Sequence, residues 1–258
     1  MKKRIVIKVG THVINDEGVL CVQRFEKLVA FLSSAMEQHE VILVSSGAVS
    51  TGFSKIKLDK KIVSNRQALA AIGQPYLIQN YNEYLQKHGR FGAQLLLVSD
   101  DFDSRKRTKA ARDAINTLLG NGILPIINDN DTTAVEELVF GDNDQLSAHV
   151  THFFDADLLV ILSDIDGYYN ADPKKDKNAK VISNVEKIDE KELQESASAG
   201  SQFGTGGIVT KLKAADFLLK NGRSMLLASG FDLSDVKNFI LEGRHSGGTL
   251  FSSTYKLK

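Results

Sequence analysis

The chain has 258 residues, 42% hydrophobic and 25% charged, and its 32 Lys and Arg balance 32 Asp and Glu, which gives no support for non-specific binding to nucleic acid or a membrane surface. A single cysteine, Cys21, precludes an internal disulfide and suits a reducing compartment. The N-terminus lacks a signal-peptide pattern and no apolar run approaches the ~20 residues of a membrane helix, so the expected location is cytoplasmic.

The first predicted element is a strand within Arg4 to Gly10. Ile5, Val6, Ile7 and Val9 read as a strand buried in a parallel sheet. Lys8 is out of place there, because a charge at the end of such a strand needs an anion beside it. Gly10 and Thr11 then turn the chain and let backbone approach a ligand. A helix is predicted over roughly 21–38, with Phe25, Leu28, Val29, Leu32 and Met36 on one face. The strand 41–44 follows and runs into Ser45-Ser46-Gly47-Ala48. This turn reads as a helix start, capped by Ser45 or Ser46, and equally as an anion site. The segment 64–88 reads as helical, with Pro75 as an interruption or a fresh start.

Strands are predicted at 93–98 and 123–127, with a basic helix at 105–119 between them, read as a solvated face. Then come Asn128-Asp129-Asn130-Asp131-Thr132-Thr133 and, after Phe140, Gly141-Asp142-Asn143-Asp144. Four aspartates and three asparagines thus fall within 17 positions. Their spacing does not fit a calcium loop; a pocket for a cationic, hydrogen-bonding small molecule fits better. A helix opens at Asp144 with Leu146, Val150 and Phe153 on one face, and His149 and His152 read as ordinary helix residues. The strand 157–162 ends in Ser163-Asp164-Ile165-Asp166-Gly167, where open α/β sheets bind ligands. Gly204-Thr205-Gly206-Gly207 feeds a helix through Ile208-Val209-Thr210-Lys211 to about Lys220, a phosphate-type feature that is neither a P-loop nor a dinucleotide fingerprint. A strand at 224–228, a helix at 233–241 and Gly247 to Phe251 close the chain. The stretch 172–195 reads as an excursion, and the alternation of strands and helices as an α/β fold with a mainly parallel sheet.

Five pieces in this order resemble the amino acid kinase family over about 4–251: Lys8-Val9-Gly10, Ser45 to Ala48, the two Asn/Asp clusters, Ser163 to Gly167 with Asp172-Pro173, and Gly204 to Lys211. Gly-Asp-Asn-Asp together with Gly-Thr-Gly-Gly-x-x-Thr-Lys is specific for the branch that phosphorylates L-glutamate. The resemblance implies a three-layer α-β-α sandwich forming one domain over 1–258, with about 1–150 mainly the acceptor side and 151–258 mainly the nucleotide side. It implies ATP-dependent phosphorylation of the L-glutamate γ-carboxylate, the first step of proline synthesis. Lys8 matches an ATP-phosphate ligand, and Ser46, Asp131 and Asn143 match glutamate contacts. Ser163, Asp164 and the run Thr205, Gly206, Gly207, Ile208, Val209, Thr210 and Lys211 match nucleotide contacts, with Asp144 organising Lys8 and Lys211. The resemblance further implies Mg²⁺ held mainly by ATP phosphates with no protein metal ligand, inhibition by proline, and a dimer or tetramer. No membrane partner is expected, given the zero net charge and the lack of a long apolar run, and no nucleic acid, given the same charge balance and no room for the RNA-binding C-terminal domain of many members. The alternatives are a relative acting on aspartate, acetylglutamate, carbamate or UMP, and a non-catalytic sensor.

The chemistry suits these residues. A carboxylate with a reference pKa of about 4.3 is already ionised at neutral pH and needs no general base. The difficulty is an anion attacking a polyanion, which two lysines can relieve, with backbone N–H groups at Gly10 and Gly47 expected to assist.

Overall fold

The protein is described here by a computed structural model that covers residues 2–16, 18–133, 143–173, 175–189, 193 and 207–253. Strand β1 (Arg4–Val9) leads through a short α1 (Thr11–Ile14) and a two-stranded hairpin, β2 (Asn15–Asp16) and β3 (Val19–Leu20), into α2 (Val22–Gln38). Then follow β4 (Glu40–Ser45), α3 (Ala48–Lys55), α4 (Val63–Gln86), β5 (Gly92–Leu97), α5 (Asp100–Asp103), α6 (Arg105–Gly120) and β6 (Leu124–Asp129). The second half holds α7 (Asn143–Phe153), β7 (Leu158–Ser163), β8 (Asn184–Val185), α8 (Ile208–Lys220), β9 (Ser224–Ser229), α9 (Ser234–Glu242) and β10 (Thr249–Phe251).

Eight strands form one sheet in the order β5-β6-β4-β1-β7-β9-β10-β8. It is parallel from β5 to β9; β10 runs antiparallel to β9, and β8 pairs parallel to β10. The mainly parallel expectation therefore holds, with a reversed edge. Alternation along β1 splits its side chains between two cores. Ile5, Ile7 and Val9 pack with residues of α2, α4 and α9 on one face. Val6 packs with residues of α6, α7 and α8 on the other. Because successive strand side chains alternate, Lys8 falls on the α7–α8 face. Parallel strands that are covered on both faces explain the unbroken apolar runs of β4 and β7.

Strand β1 lies between β4 and β7, to which it is bonded on either side. The chain crosses to β4 first and to β7 later, so the carboxyl end of β1 is the point where the winding reverses. Ligands bind at such a point in open α/β sheets. Gly10, Ser46 and the ends of β6 and β7 all lie at this rim.

Two local expectations are corrected. Pro75 does not divide the helical segment: α4 runs unbroken from Val63 to Gln86. A mid-helix proline costs roughly 3 kcal/mol. The buried Leu69, Leu77, Tyr81 and Leu85 of this helix supply the packing that offsets it. Neither Ser45 nor Ser46 caps α3. The N-cap is Gly47, at φ +113°, and no side chain bonds the helix start. Both hydroxyls are drawn elsewhere. Ser45 Oγ lies 2.8 Å from the hydroxyl of the buried Tyr81. Ser46 Oγ accepts from a residue 97 positions later.

Helices α3 and α4 pack at glycine contacts. A Cβ on Gly52 would run into the Leu69 carbonyl, and one on Gly73 into that of Ala48. No larger residue allows this approach, which sets the start of α3 against the middle of α4.

Candidate active site

Three charged side chains meet beneath the rim. Lys8, Asp144 and Lys211 are 5%, 0% and 4% exposed. Lys8 Nζ stands 2.6 Å from Asp144 Oδ1, and Lys211 Nζ stands 3.2 Å from Oδ2 of the same carboxylate. Lys8 comes from the end of β1, Asp144 from the first turn of α7, and Lys211 from the first turn of α8. Burial alone would push the Asp144 carboxyl up. The two ammonium groups more than reverse this and hold it below its ordinary 3.8, at about 2. It is an anion at neutral pH, and among the described residues two ammonium groups share it.

Thr210 adds a third contact. Its hydroxyl lies 3.0 Å from Asp144 Oδ2 and 2.9 Å from the Gly207 carbonyl. Gln145, beside Asp144, donates from Nε2 to the Thr210 carbonyl at 2.9 Å. These bonds tie the start of α8 to the start of α7. Gly207 is the N-cap of α8, with no side chain bonded to the helix start, and Ile208 and Val209 follow in its first turn. A helix start in that condition attracts phosphate through its free N–H groups and its dipole. Thr205 and Gly206, also expected at the nucleotide, lie outside the described residues, as do Gly141 and Asp142.

A second network of uncharged amides runs beside the first. Asn143 Nδ2 donates to Ser46 Oγ at 2.7 Å and to Asn128 Oδ1 at 2.9 Å. Asn128 Nδ2 donates to Gln74 Oε1 at 2.8 Å. The Oδ1 of Asn143 is shut off from water and has no hydrogen-bond partner among the described residues. Ser46 and Asn143, separated in sequence, therefore meet directly. Asp131 sits in the turn just past β6, with Thr133 N–H closing on the Asn130 carbonyl at 2.9 Å. Ser163 ends β7, and its Oγ donates to Asp164 Oδ1 at 3.0 Å.

Sequence reasoning did not single out Gln74, Gln145 or a separate role for Asn128. A glutamine inside an otherwise apolar helix face, directly before Pro75, was the available signal for Gln74. The Gly10 N–H is not available to a phosphoryl group as expected: it donates to the Leu162 carbonyl at 3.2 Å, fastening the end of β1 to β7.

The donor set speaks to cations as well. Both oxygens of Asp144 are engaged by lysines. Among the described residues no three His, Cys, Asp or Glu side chains gather to hold a metal ion. Nor is any described helix long and apolar enough to cross a membrane.

Comparison with known proteins gives a consistent picture. A family model described as "Amino acid kinase family" matches residues 3–229. A glutamate 5-kinase of Leishmania donovani is 51% identical over 251 residues, 97% of this chain and 95% of the relative. A glutamate 5-kinase of Wolinella succinogenes is also 51% identical, over 254 residues, 96% of this chain and 97% of the relative. Among solved structures, carbamate kinase from Giardia lamblia bound to AMP-PNP superposes with a TM-score of 0.65 at 14% identity, covering 97% of this chain and 98% of the other.

Proposed function

The chain belongs to the amino acid kinase family, and on that premise we propose how its residues carry out the ATP-dependent phosphorylation of the L-glutamate γ-carboxylate. The γ-carboxylate oxygen forms a bond to the γ-phosphorus of ATP, the bond from that phosphorus to the β,γ-bridging oxygen breaks, and ADP leaves. The product is γ-glutamyl phosphate, and no proton moves. The nucleophile needs no base, so the work of the site is to place two anions in line and to stabilise charge on the migrating group.

The observation that carries this reading is that Lys8 and Lys211 reach one carboxylate, Asp144, from different parts of the chain. Lys8 faces the transferring phosphoryl group from β1 and Lys211 from α8. Asp144 is a positioning residue: it holds the two ammonium groups apart, so neither must reorganise as charge develops. Ser163, Asp164 and the start of α8 from Gly207 receive the nucleotide, with Thr205 and Gly206 completing that run. Ser46, Asn143 and Asp131 receive glutamate, Asp131 through its ammonium group. The acceptor thus lies mainly on residues 1–150 and the nucleotide mainly on 151–258 of one domain. Both Asp144 oxygens face lysines, so Mg²⁺ would be held mainly through ATP phosphates and would supply charge neutralisation there.

Three finer proposals accompany this. The chain works in the cytoplasm, in keeping with its lone cysteine. L-Proline competes at the glutamate pocket. The chain assembles as a dimer or tetramer, and the exposed Phe91 and Leu96 at the edge strand β5 support this.

Incubation with Mg-ATP, L-glutamate and hydroxylamine tests the reaction itself, because hydroxylamine traps an acyl phosphate as its hydroxamate. Glutamate-dependent hydroxamate is expected. Its absence, with turnover on aspartate, acetylglutamate, carbamate or UMP, would reassign the acceptor, and no turnover on any of them would leave a sensor.

A further inference from the structure

Asn15 is 6% exposed, and both Oδ1 and Nδ2 are closed off from water, with no hydrogen-bond partner among the described residues. A buried amide left unpaired on both sides is costly, and a native chain keeps one where something else completes it. The buried amide of Asn128, by comparison, bonds both Gln74 and Asn143.

The backbone of Asn15 is held firmly. Its N–H donates to the Thr11 carbonyl, its carbonyl accepts from Arg24 Nη2 at 3.1 Å, and it pairs with Leu20 across the β2–β3 hairpin. A side chain on so constrained a base is placed in advance, which is how binding groups are held. Its Nδ2 faces Gly47, lying 3.3 Å from where a Cβ there would stand. Gly47 is the positive-φ N-cap of α3, and no side chain bonds that helix start. The preceding residue, Ser46, already carries Asn143. Asn15 and Asn143 thus flank the Ser46-Gly47 turn, and the start of α3 lies between them. An uncapped helix start beside an unused NH₂ group suits a carboxylate.

We propose that Asn15 positions the amino acid acceptor, its Nδ2 donating to a carboxylate received at the start of α3. This rests on the glutamate reading above and adds a contact to it. The residue sets how tightly the acceptor sits and takes no part in the phosphoryl group's passage.

Asn15→Leu keeps the size and removes both hydrogen-bonding atoms; Asn15→Asp keeps the shape and sets an anion against the acceptor's carboxylate. Steady-state kinetics, thermal melting and calorimetric titration with L-glutamate are measured on wild type and both variants. Asn15→Leu is expected to raise the glutamate KM by about 10-fold or more, the scale of one lost bond to a charged group. Its ATP KM is expected to stay within about two-fold and its Tm to equal or exceed wild type, because an unpaired polar group has gone. Asn15→Asp is expected to lose at least as much glutamate affinity, and it decides the matter should the leucine variant fail to fold. A glutamate KM within about two-fold of wild type in Asn15→Leu, or tighter glutamate binding in Asn15→Asp, overturns the inference. Wild type that binds no glutamate overturns the acceptor reading itself, and this contact with it; wild type that binds while the variants match it overturns the contact alone.

Discussion

Strand β1 carries a basic residue near each end on the same face, and the two behave differently. At its amino end Arg4 pairs with Glu40 at 2.9 Å, donates to the Phe154 carbonyl at 2.7 Å and offers its backbone N–H to Asp157 at 2.7 Å. At its carboxyl end Lys8 meets Asp144 at 2.6 Å. The side chains of Arg4 and Glu40 are 19% and 30% exposed, against 6% and 0% for Lys8 and Asp144. Water therefore screens the first pair, whereas only the neighbouring protein groups answer the second. Residue types hardly differ, so depth decides the role. An ion pair open to solvent fastens a strand end and contributes little more. A buried cluster, by contrast, holds its charged groups in place through protein contacts alone.

Variants at the buried end should do most damage. Asp144→Ala leaves two ammonium groups facing each other out of water. It is expected to cost about 3–5 kcal/mol in urea unfolding and to reduce kcat by about 1,000-fold. A variant with wild-type stability would mean that this end is as well solvated as the other. Next, Lys8→Ala and Lys211→Ala are each expected to lower kcat by about 100-fold while the glutamate KM moves less. Near-normal kcat in either variant would remove that lysine from the reaction.

Acid titration separates the ends by a smaller effect. The Asp144 carboxyl lies at about 2 when folded and near 3.8 when free. Between those values the unfolded chain binds a proton that the folded chain refuses, so stability falls as pH drops through the window and is fully present above it. Urea midpoints from pH 5 to 2 should show this slope in wild type and lose it in Asp144→Asn. Smallest of all, Glu40→Gln is expected to cost at most about 1 kcal/mol, to shrink further in 1 M salt, and to leave kcat unchanged. A large loss there would show that the exposed end matters more than its solvation implies.

Much of this molecule could be read from periodicity and composition. The apolar runs of β1, β4 and β7 mark covered parallel strands, and Lys8 stands out because nothing apolar explains it. Resemblance to a family then placed Asp144 and Lys211 beside it, which no local pattern could do. What escaped were hydrogen bonds between residues far apart in the chain. Ser46 looks like a helix cap in its own neighbourhood, yet its hydroxyl is taken by Asn143, leaving Gly47 to start α3. Pro75 looks like a break, and packing on both sides carries α4 through it. Gln74 gains its meaning only when Asn128 is brought against it. The Gly10 N–H looks free until β7 arrives with the Leu162 carbonyl.

The central place of β1 has a consequence for synthesis on the ribosome. Strand β1 emerges before both of its neighbours: β4 comes within reach early, but β7 begins only at Leu158. The last member of the charged cluster, Lys211, comes later still. A nascent chain halted before β7 must keep one edge of its innermost strand open, a template for mispairing with other chains. Arrested chains ending near residue 150 should be cut readily by protease and bound by chaperones, whereas those released beyond residue 253 should resist. The buried charged cluster is therefore completed only once Lys211 has emerged, long after β1, which gives quality control an interval in which to act on unfinished copies.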